Sequence, residues 1–458
     1  MTKKIWAASA LLDDGWASSV EITIDADGNI ASVTADCPYV DSDGDGDRVE
    51  WLIPAIANVH SHAHQRAMAG LGERAGNRED SFWTWRKVMY HYLERIQPEH
   101  LMHIAAQLYL EMLKHGYSCV AEFQYLHHAV DGSAYANRAE MSLQCLQAAR
   151  NVGIGFTALP VLYRFGGFGS ADPLDGQKRF LNDADGFCEI VTTLQNATAG
   201  DANCSVGIAP HSLRAINREL LAEVIASFDD LAAIHLHIAE QTKEVDDCQA
   251  WSGQRPLEWL YDNFDVDRHW CLIHATHMNA AETSSMAGSG CIAGLCPTTE
   301  ANLGDGFFNA VEFFEHSGNW AIGSDSHISV DPVEELRWLE YGMRLQTRRR
   351  NVLVSETTIN TGRNLLDGAL RGGAGACGRR IGSIESGYRA DFIVLDHNHP
   401  RLYGRRNDDL IDSWIFSGND NLVRDVYIAG DKLVDNGHHA DEEQIARNYR
   451  DTLDQLTS

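Results

Sequence analysis

Apolar runs of strand length recur through most of this chain, separated by stretches that suit helices. Eight stand between residues 52 and 327: LIPAIANVH (52–60), SCVAEFQY (118–125), GIGFTALPVL (153–162), SVGIAPHS (205–212), AAIHLHIAE (232–240), WCLIHATH (270–277), GCIAGLCP (290–297) and WAIGSDSH (320–327). Continuous apolar strands alternating with helices form parallel sheets covered on both faces. Eight units over roughly 300 residues suit a (β/α)8 TIM-type barrel of the α/β class better than an open doubly wound sheet. The flanks have a different texture. SVEITIDADGNIASVTA alternates apolar and polar residues around an Asp-Gly turn, and IGSIESGYRADFIVLD and VRDVYIAGDKLVDNG also read as hairpins. The expected organisation is a barrel over 53–375 and one small β-sandwich domain built from both ends, 1–52 and 376–458. The tail DEEQIARNYRDTLDQL reads as an amphipathic helix.

Bulk properties narrow the partners. A chain of 458 residues is long enough for a large barrel and an accessory domain. A formal charge of −28 opposes nucleic acid and anionic membranes, and no run of roughly 18 apolar residues exists. The start, MTKKIWAASALLDDGW, is a poor signal peptide. The ten cysteines never form Cys-x-x-Cys and several sit in apolar runs, which predicts reduced thiols in a cytoplasmic protein. DSDGDGD (41–47) has the spacing of a calcium loop, but Leu52 stands where the closing Glu belongs, so it reads as an acidic surface turn.

The polar residues of the eight runs gather at their C-terminal ends: His60, His62, Tyr125, His211, His237, Glu240, His274 and Asp325. In a barrel of this type that rim carries the active site. His60, His62 and His64 alternate, and residues two apart on a strand share a face, so two or three imidazoles converge there. Hydrolytic zinc sites use histidine nitrogens and carboxylate oxygens and leave one position open. The residues alone leave open which two of the three histidines take part.

HSH after the first run, HIAE after the fifth, a histidine after the sixth and SDS after the eighth resemble the amidohydrolase superfamily, in its mononuclear deaminase branch. The segment GSIESGYRADFIVLD resembles that family's β-domain. The resemblance implies that His60, His62, His237 and Asp325 bind one metal. Zinc is the expected ion, and iron(II) would be tolerated by the same donors. His64 then falls past the rim, and His235 faces the same way as His237 but one layer deeper. No lysine ends the fourth run, where IAPHSLR offers His211 and Arg214 instead, so a single metal is expected. In such a site Asp325 accepts the proton of the attacking water, Glu240 carries a proton to the leaving nitrogen, and His274 steadies the developing tetrahedral centre.

The remaining rim residues bear on the substrate. Arg86 and Arg214, joined by Gln65 and Tyr125, present planar cationic forks suited to carboxylates in an otherwise acidic protein. A substrate with two carboxylates is the natural partner. The words HSHAHQRAMAG, FWTWRKVMY, EFQYLHH, APHSLRA, HIAEQTKEVDDC and CPTTEANLGDG resemble the formimidoylglutamate deiminases, with His64 departing from the aromatic residue expected there. That resemblance implies a dicarboxylate amidine substrate, hydrolysed with release of ammonia in histidine degradation. It also implies that Arg86, Tyr125 and Arg214 hold the carboxylates, Gln65 addresses the glutamyl part, His211 lies near the formimidoyl group, and the enzyme is a homodimer. The alternative is another deaminase of the superfamily, acting on a nucleobase or aryl amine. A barrel that has lost its catalytic role would have a broken ligand set, and this one is complete.

Overall fold

The computed structural model describes residues 2–39, 46–73, 82–228 and 231–457, with side chains at all of them except 82–84, 87, 88 and 91. Of the acidic turn at 41–47, only Gly46 and Asp47 fall within the described residues.

Eight strand positions follow one another with helices between them: Ile56–Ser61, Tyr117–Gln124, Gly155–Leu162, a fourth split into Cys204–Val206 and Ala209–Pro210, Ile234–Ile238, Trp270–His274, Ile292–Leu295 and Asn319–Ile322. The first four pair in parallel in chain order, and so do the last four. Parallel bridges at Ile208–Ile234 and Ser61–Asp325 join the two sets. This is a TIM-barrel-type α/β fold. Strands such as Tyr117–Gln124 and Gly155–Leu162 are buried from end to end, so both faces demand apolar side chains. Helices supply the cover. In Pro98–Lys114 a proline opens the first turn, and Leu101, Ile104, Ala105, Leu108 and Met112 recur every three or four residues along the buried stripe.

Strands from both chain ends lie on one hydrogen-bonding path. In spatial order they are His438–His439, Asp431–Asp435, Val423–Ile428, Phe392–Leu395, Asp47–Pro54, Lys3–Leu12, Gly15–Ile24 and Ile30–Thr34. The two ends meet where Phe392–Leu395 pairs antiparallel with Asp47–Pro54. Val20, Ile22 and Ile24 alternate into a second small core with Ile5, Leu52, Phe392 and Val394. The hairpin turn at 25–29 uses Gly28 at φ +79°, tight against Ala429. The tail forms the helix Glu442–Thr457, tied to Pro98–Lys114 by a Lys114–Glu442 ion pair of 2.6 Å. None of the ten cysteines is disulfide-bonded. No helix among the described residues is long and apolar enough to cross a membrane.

Candidate metal centre and substrate pocket

His60 lies near the end of the first parallel strand, and His62 just past it. His237 lies near the end of the fifth, His274 ends the sixth, and Asp325 follows the eighth. Gly323 lets the eighth strand approach the first: a Cβ there would stand 2.8 Å from the His60 backbone nitrogen. All five side chains are buried.

Tautomers in this cluster are set by backbone carbonyls. His62 Nδ1 donates to the Phe123 carbonyl at 2.9 Å, and His237 Nδ1 donates to the His211 carbonyl at 3.0 Å. A carbonyl cannot donate, so each ring turns a lone pair at Nε2 inward. His237 Nε2 stands 2.9 Å from His60 Nε2, and Asp325 Oδ1 lies 3.5 Å from His60 Nε2 and 3.4 Å from His62 Nε2. Two inward lone pairs and a carboxylate gathered around the buried His60 ring make a donor set whose repulsion a cation would relieve. His60, His62 and His237, and His60 with His274 and Asp325, are groups that could hold a metal ion, and His62 and His237 are oriented by second partners as metal-bound histidines usually are. Burial lowers His60 to about 3 and His237 well below its ordinary value, so both present the neutral form a metal requires. Backbone strain gathers here too. His274 (φ +66°), Asp325 (φ +46°) and His327 (φ +60°) all adopt left-handed conformations, which cost on the order of 1 kcal/mol or more each and cluster at functional sites.

Beside the donors lie two groups whose protonation is pushed in opposite directions. Burial raises Glu240 to about 7. Burial opposes a charge on His274, but the carboxylates of Glu240, Glu300 and Asp325 outweigh it and raise the imidazole to about 10. His274 Nδ1 donates to Glu300 Oε1 at 3.3 Å, and its Nε2 is 3.8 Å from Asp325 Oδ2. A carboxyl that titrates near neutrality next to a protonated imidazole is equipped to move protons.

Gln65, Arg86, Tyr125, His211 and Arg214 line the same cavity as His62, His237, Glu240, His274 and Asp325, with about 590 Å³ free of protein atoms including its mouth. Arg86 Nη2 reaches the Tyr163 hydroxyl at 3.5 Å, and its guanidinium stacks 5.2 Å over the Tyr90 ring. Arg214 Nε lies 3.8 Å from Glu244 Oε2. Burial disfavours its charge, but Glu244 and the acidic surroundings more than restore it. Gln65 Nε2 donates to the Tyr125 hydroxyl at 3.1 Å. His64 stands in the short turn Ala63–Met68 with its Nε2 2.9 Å from the Tyr125 hydroxyl. His235 Nε2 donates to the Ala376 carbonyl at 2.8 Å, away from the donor set.

The structure also brings in groups that the sequence analysis does not single out. Glu300 holds His274, Glu244 faces Arg214, and Asp305 is raised to about 9 by burial and by the charge of Glu240. Met89 and Phe180 form apolar wall. Glu300 and Asp305 follow the seventh strand in CPTTEANLGDG, so their position at a strand's C-terminal end was the available signal.

The model of the amidohydrolase family matches residues 51–433, and that of the formimidoylglutamate deiminase HutF N-terminal domain matches residues 2–45. A formimidoylglutamate deiminase of Pseudomonas aeruginosa is 51% identical over 452 residues, covering 99% of each chain. The crystal structure of an amidohydrolase from Brucella melitensis superposes with a TM-score of 0.94 at 45% identity over 100% of both chains. An adenosine deaminase from Xanthomonas campestris with bound zinc shares the fold, with a TM-score of 0.80 at 22% identity over 99% of this chain and 98% of that one. This chain belongs to the amidohydrolase family and, within it, to the formimidoylglutamate deiminases.

Proposed function

We propose that this chain hydrolyses N-formimidoyl-L-glutamate to N-formyl-L-glutamate and ammonia in histidine degradation, at one divalent metal held by His60, His62, His237 and Asp325. One observation carries the proposal: lone-pair donors and a carboxylate converge at the floor of a cavity whose wall holds two arginines. Bound there, the metal supplies Lewis acidity and a water acidified to react at neutral pH. Zinc suits the nitrogen and oxygen donors, and iron(II) is the competing ion.

The chain's own groups do the rest. Asp325 takes the proton that the attacking water gives up. The water oxygen bonds to the formimidoyl carbon, and the bond from that carbon to its terminal nitrogen breaks. The water oxygen gives up its second proton as it becomes the formyl oxygen, and Glu240 relays this proton and the one taken by Asp325 to that nitrogen so that it leaves as ammonia, work worth about 10²–10⁴-fold in rate. His274, fixed through Nδ1 by Glu300, donates from Nε2 toward the charge developing at the reacting carbon. Arg86, Tyr125 and Arg214 hold the two carboxylates, Gln65 addresses the glutamyl chain, and His211 borders the formimidoyl group. The resemblance and the reduced cysteines also favour a cytoplasmic homodimer.

Metal content and ammonia release, read together, test this assignment. His60→Ala, His62→Ala, His237→Ala and Asp325→Asn should each lose or misplace the metal and abolish turnover. Full metal occupancy in any two of them would refute the donor set.

A further inference from the structure

Two imidazoles two residues apart converge on one point only if the backbone between and beyond them is held. In the first strand the pairing register slips at that place. Asn58 pairs with Val120 and Ser61 with Glu122, so three steps on one strand stand against two on its neighbour. Such a bulge re-aims side chains and leaves the strand locally free to settle otherwise. One buried carboxylate spans it. Glu122 Oε2 accepts from Ser61 Oγ at 2.5 Å and from Tyr109 Oη at 3.0 Å, while Oε1 accepts from the Ala63 amide at 2.7 Å. Ser61 separates His60 from His62, and Ala63 follows His62. Glu122 is 1% exposed, and its hydrogen bonds come from these three neutral donors.

We infer that Glu122 is a positioning residue for the metal centre: it clamps the bulge at Ser61 and Ala63 so that His60 and His62 aim their Nε2 lone pairs at one ion. The inference rests on the proposed donor set. Glu122 touches neither metal nor substrate and acts through the backbone on either side of His62. From the opposite side His327 Nε2 accepts the His62 amide at 3.1 Å, so the turn is gripped both from the second strand and from the segment that follows the eighth. A partner of this kind is worth about 10- to 100-fold in metal affinity.

Zinc affinity of the folded chain, measured by competition with a chromophoric chelator, tests the clamp alongside thermal unfolding. Glu122→Leu removes all three bonds and should bind zinc about 10- to 100-fold more weakly, with KM for formimidoylglutamate little changed once zinc saturates. Glu122→Gln can keep its oxygen on the Ala63 amide while its NH2 donates to the two hydroxyls, and should bind zinc within about threefold of wild type. The decisive pair is Ser61→Ala and Tyr109→Phe. Each removes one hydroxyl donor from the same oxygen, but only Ser61 lies between the ligands. Ser61→Ala should weaken zinc binding severalfold and Tyr109→Phe should not, whatever each does to the melting temperature. If both shift zinc affinity equally, in step with stability, Glu122 merely supports the fold and the inference fails. If Glu122→Leu is folded and binds zinc like wild type, it fails outright. A wild type that takes up no zinc at all would overturn the donor set and the clamp together, whereas loss in His60→Ala without loss in Glu122→Leu overturns the clamp alone.

Discussion

Replacing Arg214 by methionine should separate the substrate's second carboxylate from everything else in the pocket. The guanidinium side chain is 13% exposed and lies 3.8 Å from Glu244, whose own side chain is 1% exposed. At that separation, with an effective dielectric of about 20, the attraction between the two charges is about 4 kcal/mol. Removing the arginine therefore has two effects. It strands a buried Glu244, and breaking such a pair costs stability on the order of 3–5 kcal/mol. It also leaves a substrate carboxylate without its cation, a loss of about 2–5 kcal/mol, or roughly 30- to 5,000-fold in kcat/KM. A second substitution distinguishes the two. Arg214→Met with Glu244→Leu replaces the pair by apolar groups, which is often neutral for stability, so the double variant should recover its melting temperature but not its activity. The assay is ammonia release from formimidoylglutamate and from a formimidoyl amino acid with a single carboxylate. The single-acid compound should lose much less, because it has no charge left to strand, and the four rates form a cycle between protein and ligand. Turnover of formimidoylglutamate by Arg214→Met within about threefold of wild type, under 1 kcal/mol, would refute the carboxylate assignment.

Other outcomes follow from the same geometry. Glu240→Gln should keep its metal and bind substrate while kcat and kcat/KM both fall about 10²–10⁴-fold, and steady-state kinetics with metal analysis would detect near-normal turnover if Glu240 is idle. His64→Ala should retain wild-type metal content by elemental analysis, since its Nε2 is engaged with Tyr125. Burial raises Glu240 to about 7, above an ordinary carboxyl near 4.5, so its contribution to metal-free stability is complete below about pH 4.5 and is lost as pH rises through 7. The melting temperature of the metal-free wild type should accordingly fall relative to Glu240→Gln between pH 5 and 8; a constant difference would contradict the burial argument. Chelation should lower the melting temperature and abolish activity, and zinc should restore both, because a ligand bound only by the folded state stabilises it.

Much of this molecule is legible in its sequence, because burial on both faces forces strands to be written as unbroken apolar runs. Each of the eight runs overlaps a described strand, and His62, Tyr125, His211, His237, Glu240, His274 and Asp325, at or just past the run ends, line one cavity. Strand ends are legible for the same reason: a histidine in an apolar run is conspicuous. The rest depends on distance in the chain. Glu300 lies 26 residues from His274, and nothing in CPTTEANLG marks it as that imidazole's acceptor. Glu244 sits in the first turn of the helix Thr242–Ser252, where an acidic residue is ordinary, and only tertiary packing turns it toward Arg214. The bulge at Ser61 also escapes a two-residue pattern, since a register slip leaves no compositional trace. His64 has the spacing of a ligand, but the chain has left the strand for the turn Ala63–Met68, where alternation no longer sets direction.

The central claim is that a metal centre made of His60, His62, His237 and Asp325 serves a small dicarboxylate amidine. It is tested most directly by kcat/KM of the zinc-loaded chain for N-formimidoyl-L-glutamate, adenosine and guanine, with ammonia and N-formyl-L-glutamate quantified together. The account predicts ammonia and N-formyl-L-glutamate in equal amounts, and a preference for formimidoylglutamate of at least about a thousandfold, which two stranded carboxylates would supply. A purine deaminated as fast as formimidoylglutamate, or formimidoylglutamate left intact by fully metallated protein, would contradict it.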